Sequence, residues 1–224
     1  MRMTRALLGL CCFVVVLAGC GGDDGATEDA GERSTTTTAD DGKTTTTTGE
    51  TPDDELPAFL SDFDRVCESQ VGFGGASEYD GEPGVHPIAL FADYDDPPSL
   101  IQSSVTLPAG WAVAEDADFE DNSELAATQL VGCAIRTDAR PNGTPCEFEG
   151  DDGDEPITLE LVDTTYELTI YRATTGEVVG EPQTLEAAST DCPFVASIGE
   201  GDTQYFNDPT EEQYVDALKE TVNP

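Results

Sequence analysis

Residues 21–56 (GGDDGATEDAGERSTTTTADDGKTTTTTGETPDDEL) contain no aromatic residue and one large aliphatic, Leu56, at their very end. Eleven acids stand there against Arg33 and Lys43. So little apolar surface cannot offset the entropy of ordering the backbone, and residues 20–56 are therefore expected to form a disordered tether. Like charges extend such a chain, and at ~5–6 Å × √n it spans on the order of 30 Å. The Thr runs offer hydroxyls to O-linked sugars, although a plain solvated tether accounts for them. Whatever folds must lie beyond it. From Pro57 to Pro224 aromatic and branched aliphatic residues recur throughout, and 168 residues suffice for one domain with a sizeable core. No internal repeat divides it.

Ahead of the tether the pattern is different again. The first nineteen residues carry no acid, although the chain has 47. Arg2 and Arg5 precede an apolar run over residues 6–18 (ALLGLCCFVVVLA), which is the layout of a secretory signal peptide. Its 13 residues fall short of the ~20 that a membrane-crossing helix needs. Leu17-Ala18-Gly19-Cys20 resembles the lipobox of prokaryotic lipoproteins. That resemblance implies cleavage before Cys20, with residues 1–19 as the signal peptide, and a diacylglyceryl thioether (palmitate or a similar acyl chain) on Cys20. Two acyl chains, at ~0.8 kcal/mol per buried CH₂, anchor stably where one is marginal. The implied location is the extracytoplasmic face of the cell membrane. An ordinary cleaved signal, with Cys20 a stray thiol, is the plainer alternative. The paired arginines of a twin-arginine signal are missing, which points to the general secretory route.

Cys11 and Cys12 would leave with the signal, and Cys20 would carry lipid. Cys67, Cys133, Cys146 and Cys192 remain, an even number in an exported domain, and so two disulfides are expected with three possible connectivities. We favour Cys133–Cys146, because Asp138-Ala-Arg-Pro-Asn-Gly143 looks able to fold the chain back, leaving Cys67–Cys192 to join the domain's two ends. Zinc is the rival use, but there is no CxxC pair and His86 is the only histidine.

Residues 57–70 (PAFLSDFDRVCESQ) place Phe59, Leu60, Phe63, Val66 and Cys67 at helical spacing. Residues 72–84 are Gly-rich and read as loop. Residues 85–91 form a short apolar strand that Pro87 would confine to an edge or a bulge. Residues 127–136 read as a central strand, and 157–162 and 166–172 as two more with alternating polarity. Thr174-Thr-Gly-Glu177 supplies a hairpin turn with Gly where φ > 0 is wanted. Residues 210–222 (TEEQYVDALKETV) form a closing helix capped by Asp208 or Thr210, with Tyr214, Val215, Leu218 and Val222 inward. The expected fold is mainly β, an antiparallel sandwich or half-barrel with short N- and C-terminal helices. Taken in order, Cys67, Gly84-Val-His-Pro87, Leu130-Val-Gly-Cys133, Cys146-Glu-Phe148, the Ala-Thr-Thr-Gly-Glu-Val hairpin and Cys192-Pro193 resemble an uncharacterised bacterial extracytoplasmic module. The resemblance implies one disulfide-bonded domain across most of residues 65–200, and no activity.

The domain holds 36 acids against Arg65, Arg136, Arg140, Arg172 and Lys219. Such a surface repels nucleic acid and anionic headgroups, which makes both poor partners, and a monomer is expected. With only Lys43 and Lys219 as lysines, the balance suits a salt-rich habitat or an acidic high-GC proteome. Calcium takes carboxylate and carbonyl oxygens, so Glu147, Glu149, Asp151, Asp152, Asp154 and Glu155 are candidate ligands, with Asp93, Asp95 and Asp96 a smaller group. An EF-hand register starting at Glu147 puts Asp152 where Gly is required, so a solvated acidic loop is the favoured reading.

Signals for catalysis are thin. Any triad must use His86, which sits before Pro87 among apolar residues as a buried or capping histidine would. Val195-Ala-Ser-Ile-Gly199 lacks the leading Gly of a nucleophile elbow. Neither a phosphate-binding loop nor a dinucleotide fingerprint is present. Trp111 reads as core rather than as a ligand platform. No cofactor is expected, calcium apart. The expected role is a non-catalytic, lipid-anchored module binding something outside the membrane, and the alternative is a cell-envelope hydrolase using acidic residues.

Overall fold

A computed structural model describes residues 55–94, 99–114, 117, 122–149, 156–199 and 201–224. Cys20 and nearly all of the segments read as signal peptide and tether, together with Asp95, Asp96, Asp151, Asp152, Asp154 and Glu155, lie outside the described residues.

The domain opens with a 3-10 turn, Leu60–Phe63, that runs into helix α1, Asp64–Ser69. Asp62 starts the turn, its Oδ2 accepting from the backbone N–H groups of Ala58 and Phe59 at 2.9 Å. Strands β1 (Ile88–Tyr94) and β2 (Ser99–Gln102) come next, then a short helix α2 (Ser123–Ala127). Two long strands, β3 (Leu130–Phe148) and β4 (Ile157–Arg172), form the centre. Strands β5 (Gln183–Ala187) and β6 (Gln204–Phe206) and helix α3 (Glu211–Val222) complete the chain. The expected mainly-β fold with terminal helices and two disulfides is present. The sheet is open, in the order β2-β1-β3-β4-β5 with β6 also on β4, and mixed rather than wholly antiparallel: β1 runs parallel to β3 and β6 parallel to β4.

Side-chain alternation gives this sheet two buried faces. Val131, Cys133 and Phe91 meet Phe63, Val66 and Phe73 from the N-terminal segment, and Leu125 from α2. On the other face Leu130, Tyr166, Leu168 and Ile170 meet Tyr214, Leu218 and Val222 of α3, with Trp111 beside them in the core. Gly132 lies on this second face because nothing larger fits: a Cβ there would stand 2.8 Å from Leu90 Cδ1 and 3.1 Å from Ile88 Cδ1. Thr210 caps α3, its hydroxyl accepting from Gln213 N–H at 3.3 Å while the Gln213 side chain accepts from Thr210 N–H at 2.8 Å.

Three local expectations need correction. Pro87 stops just short of β1, whose residues pair with β2 on one side and β3 on the other, so this is an inner strand and not an edge. The Pro87 carbonyl instead accepts from Gln129 and Leu130 N–H, joining the starts of β1 and β3. Segments 157–162 and 166–172 are one continuous strand.

The third correction concerns the disulfides, which are Cys67–Cys133 and Cys146–Cys192, each with Cα atoms 5.6 Å apart. The chain does not fold back at Asp138-Ala-Arg-Pro-Asn-Gly143. It continues as β3, with Asp138, Ala139, Arg140 and Pro141 opposite Thr165, Thr164, Asp163 and Val162, and absorbs the irregular sequence as register shifts. Cys133 and Cys146 therefore sit at distant points of one strand rising ~3.3 Å per residue. The ~4.4–6.8 Å Cα separation of a disulfide excludes their pairing.

Candidate binding groove

Beyond Ala134 the parallel pairing with β1 ends, and the next inward-facing residue of β3 is Arg136, opposite Tyr166 of β4. There Asp93, near the end of β1, turns its carboxylate back and Oδ2 accepts from Arg136 N–H at 2.9 Å. This bond replaces the lost ladder contact and gives buried Asp93 a partner. The Arg136 guanidinium lies 4.0 Å over the Phe206 ring, so β6 supplies an aromatic floor for the cation.

Asp208 is placed by the residue before it. Asn207 is buried, its N–H donates to Val162 O at 2.9 Å, and its side-chain amide donates to Asp163 Oδ1 and Ser189 O, both at 3.2 Å. Its carbonyl accepts from the Thr164 hydroxyl. With that junction held, Asp208 Oδ1 accepts from the Tyr166 hydroxyl at 3.2 Å, just ahead of the α3 cap.

These residues surround a cavity of about 510 Å³ whose walls include Asp93, Tyr94, Arg136, Ile198, Asp202, Tyr205 and Asp208. A second cavity of about 320 Å³ shares Tyr94 and Asp208 with it and runs on past Ile101 and Thr210 to Tyr214. The two adjoin at these shared walls beside the N-terminal end of α3 and are together called the groove. Asp208 is exposed as a residue, yet the protein around its carboxyl desolvates it and raises its pKa above the usual carboxylate value, against the opposing pull of the Tyr166 hydrogen bond and the Arg136 charge. Burial also raises the hydroxyls of Tyr166, Tyr205 and Tyr214, and the Asp208 charge adds to each shift. These tyrosines stay protonated near neutral pH and act as neutral hydrogen-bonding walls.

Of the candidate metal ligands only Asp93 enters the groove, and of the Val195-Ala-Ser-Ile-Gly199 string Ser197, Ile198 and Gly199 line it. Asp208, Thr210 and Tyr214, read from the sequence only as cap and inner face of the closing helix, also stand in its walls. Glu147 and Glu149 are exposed at the far end of β3, and among the described residues no group of three or more His, Cys, Asp or Glu is placed to hold a metal ion. His86 is buried, with Nδ1 2.7 Å from Gln129 Oε1, Nε2 2.8 Å from the Glu82 carbonyl, and its ring edge-on to Tyr79 at 4.8 Å. Both nitrogens are engaged in holding loop to sheet. Arg136, Tyr166, Tyr205 and Asp208 went unnoticed as a site because they come from separate elements. The faint signal for them was Arg136 itself, one of only five cations in an acidic domain. Comparison with family models, curated proteins and solved structures finds no match for this chain.

Proposed function

We propose that this is a lipid-anchored extracytoplasmic binding protein, carried on a tether from Cys20, whose groove receives a small ligand without transforming it. The observation that carries the reading is the groove: a roughly ligand-sized cavity of about 510 Å³, polar and aromatic in its walls, built on hydrogen-bonded strand ends. Its side chains are suited to holding. The hydroxyls of Tyr166 and Tyr205 are protonated, Ser99 and Ser197 add two more, and the histidine that could activate a serine is committed elsewhere. The lipobox-like Leu17-Ala-Gly-Cys20 and the acidic tether support the location.

Two measurements test this. Replacing Cys20→Ser is expected to move the exported chain from the membrane pellet to the soluble fraction, and an unchanged pellet would remove the lipid anchor. Titrating the isotope-labelled mature chain with pooled small solutes should shift the amides around Tyr94, Arg136 and Tyr205 before others. Shifts confined to the β3 end near Glu147 would place binding elsewhere.

One observation favours the hydrolase alternative. Asp208, whose pKa burial raises, shares a cavity with Asp93 and Asp202, and an upward shift is the direction that a general acid requires. Incubation with cell-envelope glycans distinguishes the two: the binding reading expects no new reducing ends. Reducing ends lost on Asp208→Asn would establish the enzyme.

A further inference from the structure

The walls of the groove constrain what fits it. Three aspartates (Asp93, Asp202 and Asp208) line the cavity with a single arginine, whose guanidinium lies on the Phe206 ring. Anionic ligands are disfavoured by this balance and by the net charge of −38 behind it. A bare metal ion asks for several converging oxygens, whereas much of this wall is Tyr94, Tyr205 and Ile198. Carbon surface beside carboxylate describes a host for a charged group on a hydrocarbon frame, since aromatic faces attract cations and bury CH₂ groups together. Resting on the binding reading above, we propose that the ligand is a small organic cation, an alkylammonium ion whose charge meets Asp202 and Asp208 while its carbon chain lies along Tyr94, Tyr205 and Ile198.

The state of Asp208 agrees with this. Burial lifts its pKa against the opposing pull of Tyr166 and Arg136, the direction in which a further cation beside it would favour the ionised form. An ammonium ion provides that cation, and a neutral sugar does not. The titratable and charged groups around Asp208 are Arg136 from β3, Tyr166 from β4, Tyr205 from β6 and Tyr214 from α3, with Asp93 and Tyr94 of β1, Asp202 and Glu211 on the walls of the cavities it shares. The upward shift of Tyr166, Tyr205 and Tyr214 keeps them neutral below pH 7, which leaves carboxyl titration to set the pH dependence. Affinity for the cation is therefore expected to fall as pH drops from 7 towards 4 and Asp208 takes up its proton.

The test is calorimetric titration of the full mature chain with choline and with spermidine in 0.15 M NaCl, where a Debye length of ~8 Å suppresses diffuse attraction. Saturable one-site binding of at least one probe is expected. Asp208→Asn, which keeps an acceptor for the Tyr166 hydroxyl, should weaken it at least tenfold. Asp202→Asn keeps the acceptor for Gly199 N–H and provides a second groove variant should the first melt early. Glu167→Gln removes an exposed carboxylate from the opposite face of β4 and should leave affinity unchanged. Equal weakening in all three variants would mean diffuse surface attraction and overturn the proposal, as would silence with both ammonium probes. Saturable heat with neutral N-acetylglucosamine alone, lost in Asp208→Asn, would also overturn the ligand class while leaving the groove as a binding site.

Discussion

The two halves of β3 behave as different materials. Residues 130–134 are buried without interruption, flanked by β1 and β4, and pressed between the N-terminal segment on one face and α3 on the other. From Arg136 to Phe148, among the described residues, the strand pairs with β4 alone, its burial is intermittent, and its register shifts twice. Each half has its own disulfide: Cys133 is tied to α1 within the core, and Cys146 is tied to Cys192 in the connection between β5 and β6. The groove begins where one half gives way to the other, at Arg136. Rigidity from the buried half fixes the backbone there, and the departure of β1 opens the space. A strand paired on both sides throughout would have had no room for a ligand.

The sharpest way to break this comparison is to remove the disulfides in turn. They close 66 and 46 residues of sequence, and the chain-entropy view gives each about 4 kcal/mol. Loop length alone separates them by only about 0.3 kcal/mol. If the buried half is the stability core, Cys67→Ala with Cys133→Ala should cost clearly more than Cys146→Ala with Cys192→Ala, because it also leaves a cavity beside Phe63 and Val66. Urea denaturation of the two double variants measures this, and equal midpoints would reduce the contrast to loop entropy.

A pair of glycines probes the same contrast more gently. Gly132→Ala in the buried half meets Leu90 and Ile88 and should cost about 1–3 kcal/mol by overpacking. Gly143→Ala in the outer half meets nothing within 4 Å, so its cost, about 1 kcal/mol, comes only from a backbone φ of 80°. A further replacement, Leu90→Ala, should relieve the first variant and leave the second untouched in a double-mutant cycle.

The smallest effect is expected at the outer end. Glu147→Gln should change stability by less than about 0.5 kcal/mol, since that side chain is solvated. In both wild type and this variant the melting temperature should rise as NaCl increases from millimolar to molar, because the domain's 36 acids repel one another. A flat or falling curve would sink the salt-adaptation reading. Calcium added at moderate ionic strength is expected to give only dilution heat.

Local features were legible to the extent that a few neighbouring residues decide them. Leu60, Phe63 and Val66 at helical spacing, the Thr210 cap with Tyr214, Leu218 and Val222 on one face, and Gly176 with its φ of 73° in the hairpin turn all stand where the pattern places them. Each rests on a period or a turn preference acting over one or two turns of chain. Asp138-Ala-Arg-Pro-Asn-Gly143 misled for the same reason. Its turn-forming residues are real, but cross-strand pairing with residues 162–165 overrides them and converts a turn into irregular strand.

By itself, then, the sequence determined that apolar residues able to build a core recur only from Pro57 onward beyond the poorly apolar residues 21–56, and that four cysteines lie in that later part. It also determined the terminal helices and the prevalence of strand. Only the tertiary structure decided which cysteines meet, that β3 runs on past its prolines, and that Arg136, Tyr166, Tyr205 and Asp208 surround one groove. Those outcomes depend on partners tens of residues away, whose meeting is set by sheet order and by the burial of two faces at once. No local pattern carries that information, since the energy that selects it appears only when the distant elements pack together.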